Sequence, residues 1–254
     1  MKPYLIVALA VVASSTASTA ITLAVTRAPA SAVPAPGADL PAQVRGILLD
    51  HPDYVIDALK AADAKAKAAE MQASREAVAG ATAEIHEDGF SPVLGNPEGD
   101  VTFVLFSDYR CGYCRKAHAG LKELRAKDPG LRIIVKEFPI LGPHSVAAAR
   151  FALAVNDLGG PDAYAKVHDA LFDDPGRIGA EGFAKLAGEL GLDWLAVQAR
   201  MDSDEVGSRV AATQALGEKL GITGTPDLVI GGDLVQGFVP NEALEAAIAD
   251  LRSK

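Results

Sequence analysis

The chain has 254 residues, of which 49% are hydrophobic and 22% are charged, a composition that suffices for a globular domain with a buried core. Its net charge of −9, from 33 acidic and 24 basic residues, does not suit binding to nucleic acid or to an anionic membrane surface. The chain contains two cysteines, Cys111 and Cys114, and they stand two residues apart.

The N-terminus has the features of an export signal. Lys2 supplies a positive charge, residues 4–26 carry no charge, and Ala30 and Ala32 form a small-residue cleavage pattern. The uncharged run is also long enough to cross a bilayer. Residues 1–32 are therefore predicted to be a signal peptide or a membrane anchor. In either case the rest of the chain is expected to be exported.

A linker and a helical segment follow the N-terminal region. Residues 33–39 are rich in Pro and Ala, which predicts an extended linker. Residues 40–85 predict a short and a long helix divided at His51 and Pro52. Apolar or small side chains recur there every three or four residues, as in a near-heptad seam. Two interpretations remain open, a self-association stalk and a spacer that is solvated or lies on the main domain.

The remaining chain, residues 86–254, predicts an α/β domain. Residues 86–100 are rich in turn residues, and regular elements follow. The predicted order is a buried strand over 101–109, a helix over about 112–127, a strand over 131–140, a helical block over 143–221, a hairpin around Gly231 and Gly232, and a final helix over about 240–252. A strand, a helix and a second strand in this order indicate a parallel βαβ unit.

The cysteine pair has the spacing of a redox motif. Cys111 is predicted to lie at the carboxyl end of a strand and at the start of the next helix. Unpaired backbone N–H groups and the helix dipole stabilise a thiolate there, so Cys111 is the expected attacking sulfur. Cys114, about one helical turn further, can resolve the mixed disulfide. A purely structural bridge across two residues would restrain little of the unfolded chain.

Metal binding and haem attachment are alternative uses of the pair. With His118 the cysteines give three candidate ligands for zinc or copper, whereas a structural zinc site usually has four. Haem attachment requires His directly after the second cysteine, and Arg115 stands there instead. No glycine-rich phosphate loop occurs between a strand and a helix, so no nucleotide is predicted. We predict no cofactor.

Other ionisable residues near the motif have two interpretations each. Asp108 is a candidate proton relay to Cys114, or else a cap or a solvated residue at the start of the following helix. Glu137 is a second candidate for the relay, or a surface charge at a strand end. Nearby basic residues either favour the thiolate or are solvated, namely Arg110, Arg115 and Lys136. The other histidines are interpreted as structural or surface residues, namely His51, His86, His144 and His168, and Tyr164 and Phe172 as helix packing.

Three stretches resemble a known family. FSDYRCGYC, KEFPILGPHSVAAARFAL and GITGTPDLVIGG are similar to the DsbA family of thioredoxin-fold thiol–disulfide oxidoreductases. With the helical block they cover most of residues 98–252. The resemblance implies a thioredoxin fold with a helical insertion at about 143–221, and catalysis by Cys111 and Cys114.

The same resemblance gives expectations for the peptide-binding side of the site. It implies that Pro226 is cis and faces the cysteines, and that Thr225 offers its backbone to an incoming peptide. Thr225 is similar to the residue of isomerase-type members, and Gly112 and Tyr113 depart from the Pro-His pair of the strongest oxidants. Asp227 departs from the small or hydroxylic residue expected after the proline.

The N-terminal helical segment, LPAQVRGILLDHPDYVIDALKA, resembles the ScsC branch of the family, which is named for suppression of copper sensitivity. This implies a stalk that forms oligomers, typically trimers, with disulfide isomerase activity. The predicted function is a periplasmic isomerase or reductase acting on unfolded or misoxidised exported proteins, with a membrane thiol–disulfide electron donor or acceptor. The alternatives are a monomeric dithiol oxidase and a periplasmic copper-binding or chaperone module.

Overall fold

A computed structural model describes residues 39–253. The predicted signal or anchor over 1–32 and all but the last residue of the linker over 33–39 lie outside this range. Within it, residues 39–58 belong to one compact unit and residues 59–253 to another. None of the helices described over 39–253 combines the length and the apolar character needed to cross a membrane.

The N-terminal helical segment is helical as predicted, with its break at His51. The helices are α1 (Leu40–Asp50), α2 (Pro52–Ala79) and α3 (Thr82–His86). The His51 N–H still bonds to the Ile47 carbonyl at 2.9 Å, and Pro52 then opens α2, where its missing N–H costs no helical hydrogen bond. No residue of α1 is buried.

Five strands form one mixed sheet in the order β1-β3-β2-β4-β5. They are β1 (Val93–Gly95), β2 (Val101–Ser107), β3 (Leu131–Glu137), β4 (Asp227–Ile230) and β5 (Asp233–Gln236). β2 and β3 are parallel, which confirms the βαβ unit, and β4 and β5 form the predicted hairpin. β1 was not predicted from the sequence: it lies within the turn-rich residues 86–100 and pairs antiparallel with β3.

Six more α-helices complete the described chain. They are α4 (Gly112–Lys127), α5 (Pro143–Asp173), α6 (Ala180–Glu189), α7 (Trp194–Met201), α8 (Asp204–Lys219) and α9 (Asn241–Ser253), with a 3-10 turn at Pro175–Arg177. The helical block is thus confirmed. Within the block, α5 consists of two helical halves that meet at a kink at Gly160, where φ is 80° and the backbone is not helical.

Two apolar clusters cover the two faces of the sheet. Phe103 and Leu105 of β2 pack with residues of α4, α5 and α9. Val104 and Phe106 alternate with them and pack on the other face with residues of α8 and with Ile85. Because β2 is buried on both faces, its sequence is an almost unbroken apolar run rather than an alternating one.

The end of α2 contributes to the second cluster. Val78, Ala81 and Ile85 are buried against residues that include Val104 and Ile134 of the central strands. The segment predicted as a stalk over 40–85 therefore has an exposed beginning and a buried end.

Candidate active site

Cys111 caps the N-terminus of α4. Its Sγ accepts a hydrogen bond from the Cys114 backbone N–H at 3.4 Å, and its own N–H donates to the Asp108 carbonyl at 3.0 Å. Cys111 is half-buried, whereas Cys114 is only 2% exposed. The local fold thus places one sulfur at the surface and the other beneath it, at the end of the strand β2.

The Thr225–Pro226 peptide bond is cis and lies opposite the cysteines. The Cys111 thiol donates a hydrogen bond to the Thr225 carbonyl at 3.2 Å. The next residue, Asp227, is buried, and its Oδ1 accepts a hydrogen bond from the Gly237 N–H at 2.8 Å. The carboxyl group of Asp227, which was not expected after the proline, therefore links the start of β4 to the residue that follows β5.

Burial controls the protonation of Cys114. It raises the pKa of the Cys114 thiol to about 12, although hydrogen bonds from Thr225, the Asp108 backbone and Ser107 oppose the shift. Desolvation disfavours the charged thiolate more strongly than these contacts favour it. Cys114 is thus a thiol at neutral pH, and its attack on another sulfur requires a proton acceptor.

Asp108 is buried and holds two loops together. Its Oδ1 accepts a hydrogen bond from the Arg110 N–H at 2.8 Å, and its Oδ2 accepts from Ile140 and Leu141 at 2.9 and 3.0 Å. The carboxylate does not cap α4, because Cys111 occupies that position. Asp108 meets Cys114 through its backbone, while its side chain links the loop before α4 to the loop after β3.

Glu137 lies in the interior, so the alternative of a surface charge is wrong. It ends β3 opposite Ser107 of β2 and is 3% exposed. Its Oε1 accepts hydrogen bonds from the Tyr109 and Tyr164 phenols at 2.7 and 2.8 Å. Burial raises the pKa of Glu137 to about 8, against the opposing effect of the two phenols. Glu137 therefore exchanges a proton close to neutral pH.

Two histidines extend this buried polar group. His168 Nδ1 lies 3.0 Å from the Tyr109 hydroxyl, and burial lowers the pKa of His168 well below its usual value. His118 stacks on Phe172, with ring centroids 4.9 Å apart, and its Nε2 is 3.4 Å from Asp169 Oδ1. His118 thus faces a carboxylate of α5. Within residues 39–253, no three His, Cys, Asp or Glu side chains are grouped to hold a metal ion.

This buried polar group was not predicted as a unit from the sequence. Tyr164 and His168 are four residues apart, which puts them on one face of α5. That spacing was the available signal, but it could not reveal that Tyr109 and Glu137 meet the same face. Lys136, placed near the motif by its sequence position, lies elsewhere: its buried ammonium donates to Asp88 Oδ2 at 2.6 Å.

The family follows from these features and from sequence comparison. Residues 102–249 match the model of the DSBA-like thioredoxin domain. The chain belongs to this family.

Several solved structures are similar to most of the described chain. A thioredoxin-like oxidoreductase from Silicibacter pomeroyi is 42% identical, covers 68% of this chain and 98% of its own, and has a TM-score of 0.63. The catalytic domain of Proteus mirabilis ScsC is 25% identical, with coverages of 71% and 99% and a TM-score of 0.64. Salmonella enterica BcfH is 25% identical, with coverages of 84% and 94% and a TM-score of 0.71.

The first curated relatives are much longer proteins. The Na⁺/H⁺ antiporter NhaA 1 of Salinispora arenicola is 27% identical over 158 residues, and the match covers 24% of its length. The chain thus spans about a quarter of that relative. The family and the structural similarities confirm the predicted resemblance to DsbA and ScsC and the predicted thioredoxin fold.

Proposed function

We propose that the chain is a periplasmic enzyme that reduces or rearranges disulfides of exported proteins, with Cys111 and Cys114 as its catalytic pair. One observation carries this proposal. The half-buried Cys111 sulfur lies 3.2 Å from the Thr225 carbonyl, while Cys114 is buried behind it. A substrate strand that pairs with the Thr225 backbone would bring its disulfide to Cys111.

The first step is a sulfur exchange. The Cys111 thiolate attacks a substrate disulfide, forms a Cys111–substrate disulfide and releases the other substrate sulfur as a thiolate. In isomerisation, a different substrate thiolate then attacks the substrate sulfur of this bond. That attack forms a new substrate disulfide and regenerates Cys111, so no net oxidation occurs.

Reduction follows a different second step. Cys114 attacks Cys111, the Cys111–Cys114 disulfide forms, and the substrate leaves with both sulfurs reduced. Two electrons have then passed to the substrate, and a dithiol donor must return them to the enzyme. We propose a membrane thiol–disulfide protein as this donor.

The proton of Cys114 needs an acceptor, and we propose Glu137 for that role. With a pKa of about 8, Glu137 is mostly protonated at pH 7, and its ionised fraction, which grows as the pH approaches 8, is a stronger base than an ordinary glutamate carboxylate. Glu137 is paired in register with Ser107, which in turn contacts Cys114. The Asp108 carboxylate is engaged by three backbone N–H groups, which favours a positioning role for it.

The N-terminal helices support an oligomer, and we favour a trimer from the resemblance to the ScsC branch. Large apolar side chains of α1 and early α2 are exposed, namely Leu40, Val44, Ile47, Leu48, Leu49, Val55, Ile56 and Leu59. A continuous run of such side chains is typical of an association surface. An assembly with several active sites suits the rearrangement of a bound substrate. The assembly also keeps these active sites away from an oxidising partner.

The test is recovery of activity from a substrate enzyme with scrambled disulfides. The partly reduced full chain should restore activity, and the Val44→Asp/Leu48→Asp variant should restore much less. Fast oxidation of a reduced substrate, without recovery of the scrambled one, would instead identify a dithiol oxidase. Stoichiometric copper binding by the reduced chain without any exchange would identify a metal-binding module.

A further inference from the structure

A polar cleft opens beside the cysteine pair. Its volume is about 350 Å³, and its lining residues are Arg110, Arg115, His144, Pro175 and Ile178. Arg110 directly precedes Cys111, and Arg115 directly follows Cys114. The turn that presents the reactive sulfur therefore also supplies the two guanidinium groups of the cleft.

These two guanidinium groups are not neutralised within the described chain. Both side chains are exposed, and neither forms an ion pair with any residue in 39–253. Arginines elsewhere in the same domain are paired, for example Arg177 with Glu189 at 2.9 Å and Arg200 with Asp157 at 2.6 Å. The contrast shows that the positive charge of the cleft is available to a ligand.

The acidic residues near the cleft are already engaged. Asp108 is buried, and its carboxylate accepts three backbone hydrogen bonds, one of them from Arg110. Asp174, next to Pro175, accepts a hydrogen bond from the Gly176 N–H at 3.0 Å and lies 3.7 Å from Arg177 Nε. The cleft is thus a positive site in a chain whose net charge is −9.

We propose that this cleft binds acidic side chains that flank the substrate cysteine, so that the enzyme prefers protein disulfides next to Asp or Glu. The inference rests on the proposed exchange function and names its substrate class. A guanidinium offers paired N–H donors that match a carboxylate. The rest of the chain carries a net negative charge and repels an acidic substrate segment. The cleft therefore attracts that segment to the place where disulfide exchange occurs.

The experiment compares three peptide disulfides that differ only in the residues beside the cysteine: Asp, Ser or Lys. The second-order rate of their reduction by the reduced full chain is divided by the rate with dithiothreitol, which removes the intrinsic reactivity of each peptide. We expect the Asp peptide to react about five- to tenfold faster than the Ser peptide, and the Lys peptide to be slowest. Raising the salt concentration to about 1 M should shrink this preference.

Charge-reversal variants locate the effect. Arg115→Glu should abolish or invert the preference, and Arg115→Lys should keep part of it. Lys185→Glu is the matched control, since Lys185 is an exposed residue of α6 whose reversal changes the net charge equally. Equal normalised rates for the three peptides, or an equal loss of preference in the control, would overturn the inference while leaving exchange intact. An absence of exchange with every peptide would overturn the proposed function itself.

Discussion

The Tyr109 phenol donates a 2.7 Å hydrogen bond to the Glu137 carboxyl group, and both residues are buried. Tyr109 stands two residues before Cys111, and Glu137 ends the strand beside β2. The hydrogen bond therefore ties the reactive turn to a carboxyl group in the interior. Because burial raises the pKa of that carboxyl to about 8, the region beneath the cysteines holds a proton that can leave near neutral pH.

Replacing Glu137 with Gln should change how stability depends on pH. Native Glu137 stays protonated up to about pH 8, whereas in the unfolded chain it ionises near its ordinary pKa of 4.5. Between these two pH values the native state binds more protons than the unfolded chain. The contribution of Glu137 to the free energy of unfolding therefore falls as the pH rises, by up to about 1.4 kcal/mol per pH unit.

The measurement is urea unfolding of the wild type and of Glu137→Gln at pH 5, 6, 7 and 8. The variant lacks the titrating group, so its stability relative to the wild type should increase with pH across this range. If the free energies of unfolding of the two proteins changed in parallel with pH, Glu137 would ionise near its ordinary pKa in the native state. In single-turnover kinetics, the same variant should also slow the attack of Cys114 on the mixed disulfide.

The two cysteines should respond differently to replacement by Ser. Cys111→Ser should reduce exchange to the uncatalysed rate, because it removes the more accessible of the two sulfurs, the expected nucleophile. The variant should remain folded, since Ser is also a favoured N-cap. Cys114→Ser should still attack substrates and accumulate a mixed disulfide, which non-reducing electrophoresis detects. Accumulation in Cys111→Ser instead would reverse the two roles.

The apolar face of α1 should control the association state. Val44 and Leu48 are one helical turn apart and 44% and 40% exposed. Val44→Asp/Leu48→Asp should lower the mass measured by light scattering from that of an oligomer to that of one chain, because buried charges destabilise an apolar interface. Leu195→Asp is the control, since Leu195 is 70% exposed on α7. A wild-type chain that is already monomeric would contradict the stalk.

A glycine of α8 should not tolerate a methyl group. A Cβ at Gly217 would overlap the ring of Phe138, which is packed edge-on against Phe106. Gly217→Ala should therefore destabilise the fold by about 1–3 kcal/mol through overpacking. At Gly188 of α6, a Cβ would meet no atom within 4 Å beyond its chain neighbours and the backbone of its own helix, so Gly188→Ala should stabilise the fold by about 0.5–1 kcal/mol. Thermal unfolding of both variants tests the contrast.

Most of the fold could be predicted from local patterns. β2 and β3 are apolar runs long enough to be recognised, and the hairpin has two glycines at its turn. β1 has three residues between turn-forming neighbours, too few to show a periodicity. In the sequence, Gly160 followed by Pro161 predicts the end of a helix. In the structure, Gly160 has a φ of 80° and interrupts the helical backbone. Gly160 accordingly divides α5 into two helical halves.

From the residues themselves the site could be predicted only where they are close in sequence, and the cis Thr225–Pro226 bond opposite the cysteines is implied by the family resemblance instead. The two-residue spacing of Cys111 and Cys114 is sufficient to predict a redox pair. Glu137, in contrast, is buried because phenols 28 and 27 residues away in sequence meet it. The pKa of its carboxyl group depends on these tertiary contacts. No local sequence pattern can predict them, because Glu137, Tyr109 and Tyr164 come from three separate parts of the chain.

The packing of Val78, Ala81 and Ile85 under the sheet decides where the protein can be divided. Lys136 strengthens the same junction, because its buried ammonium donates to the Glu84 carbonyl at 2.8 Å as well as to Asp88. A fragment cut at the predicted boundary between residues 85 and 86 would lose these three apolar residues and the Glu84 carbonyl, and would expose the side chains of Val104 and Ile134 that pack against them. The smallest catalytic fragment that remains folded therefore begins before Val78 and retains the last turn of α2 as its base.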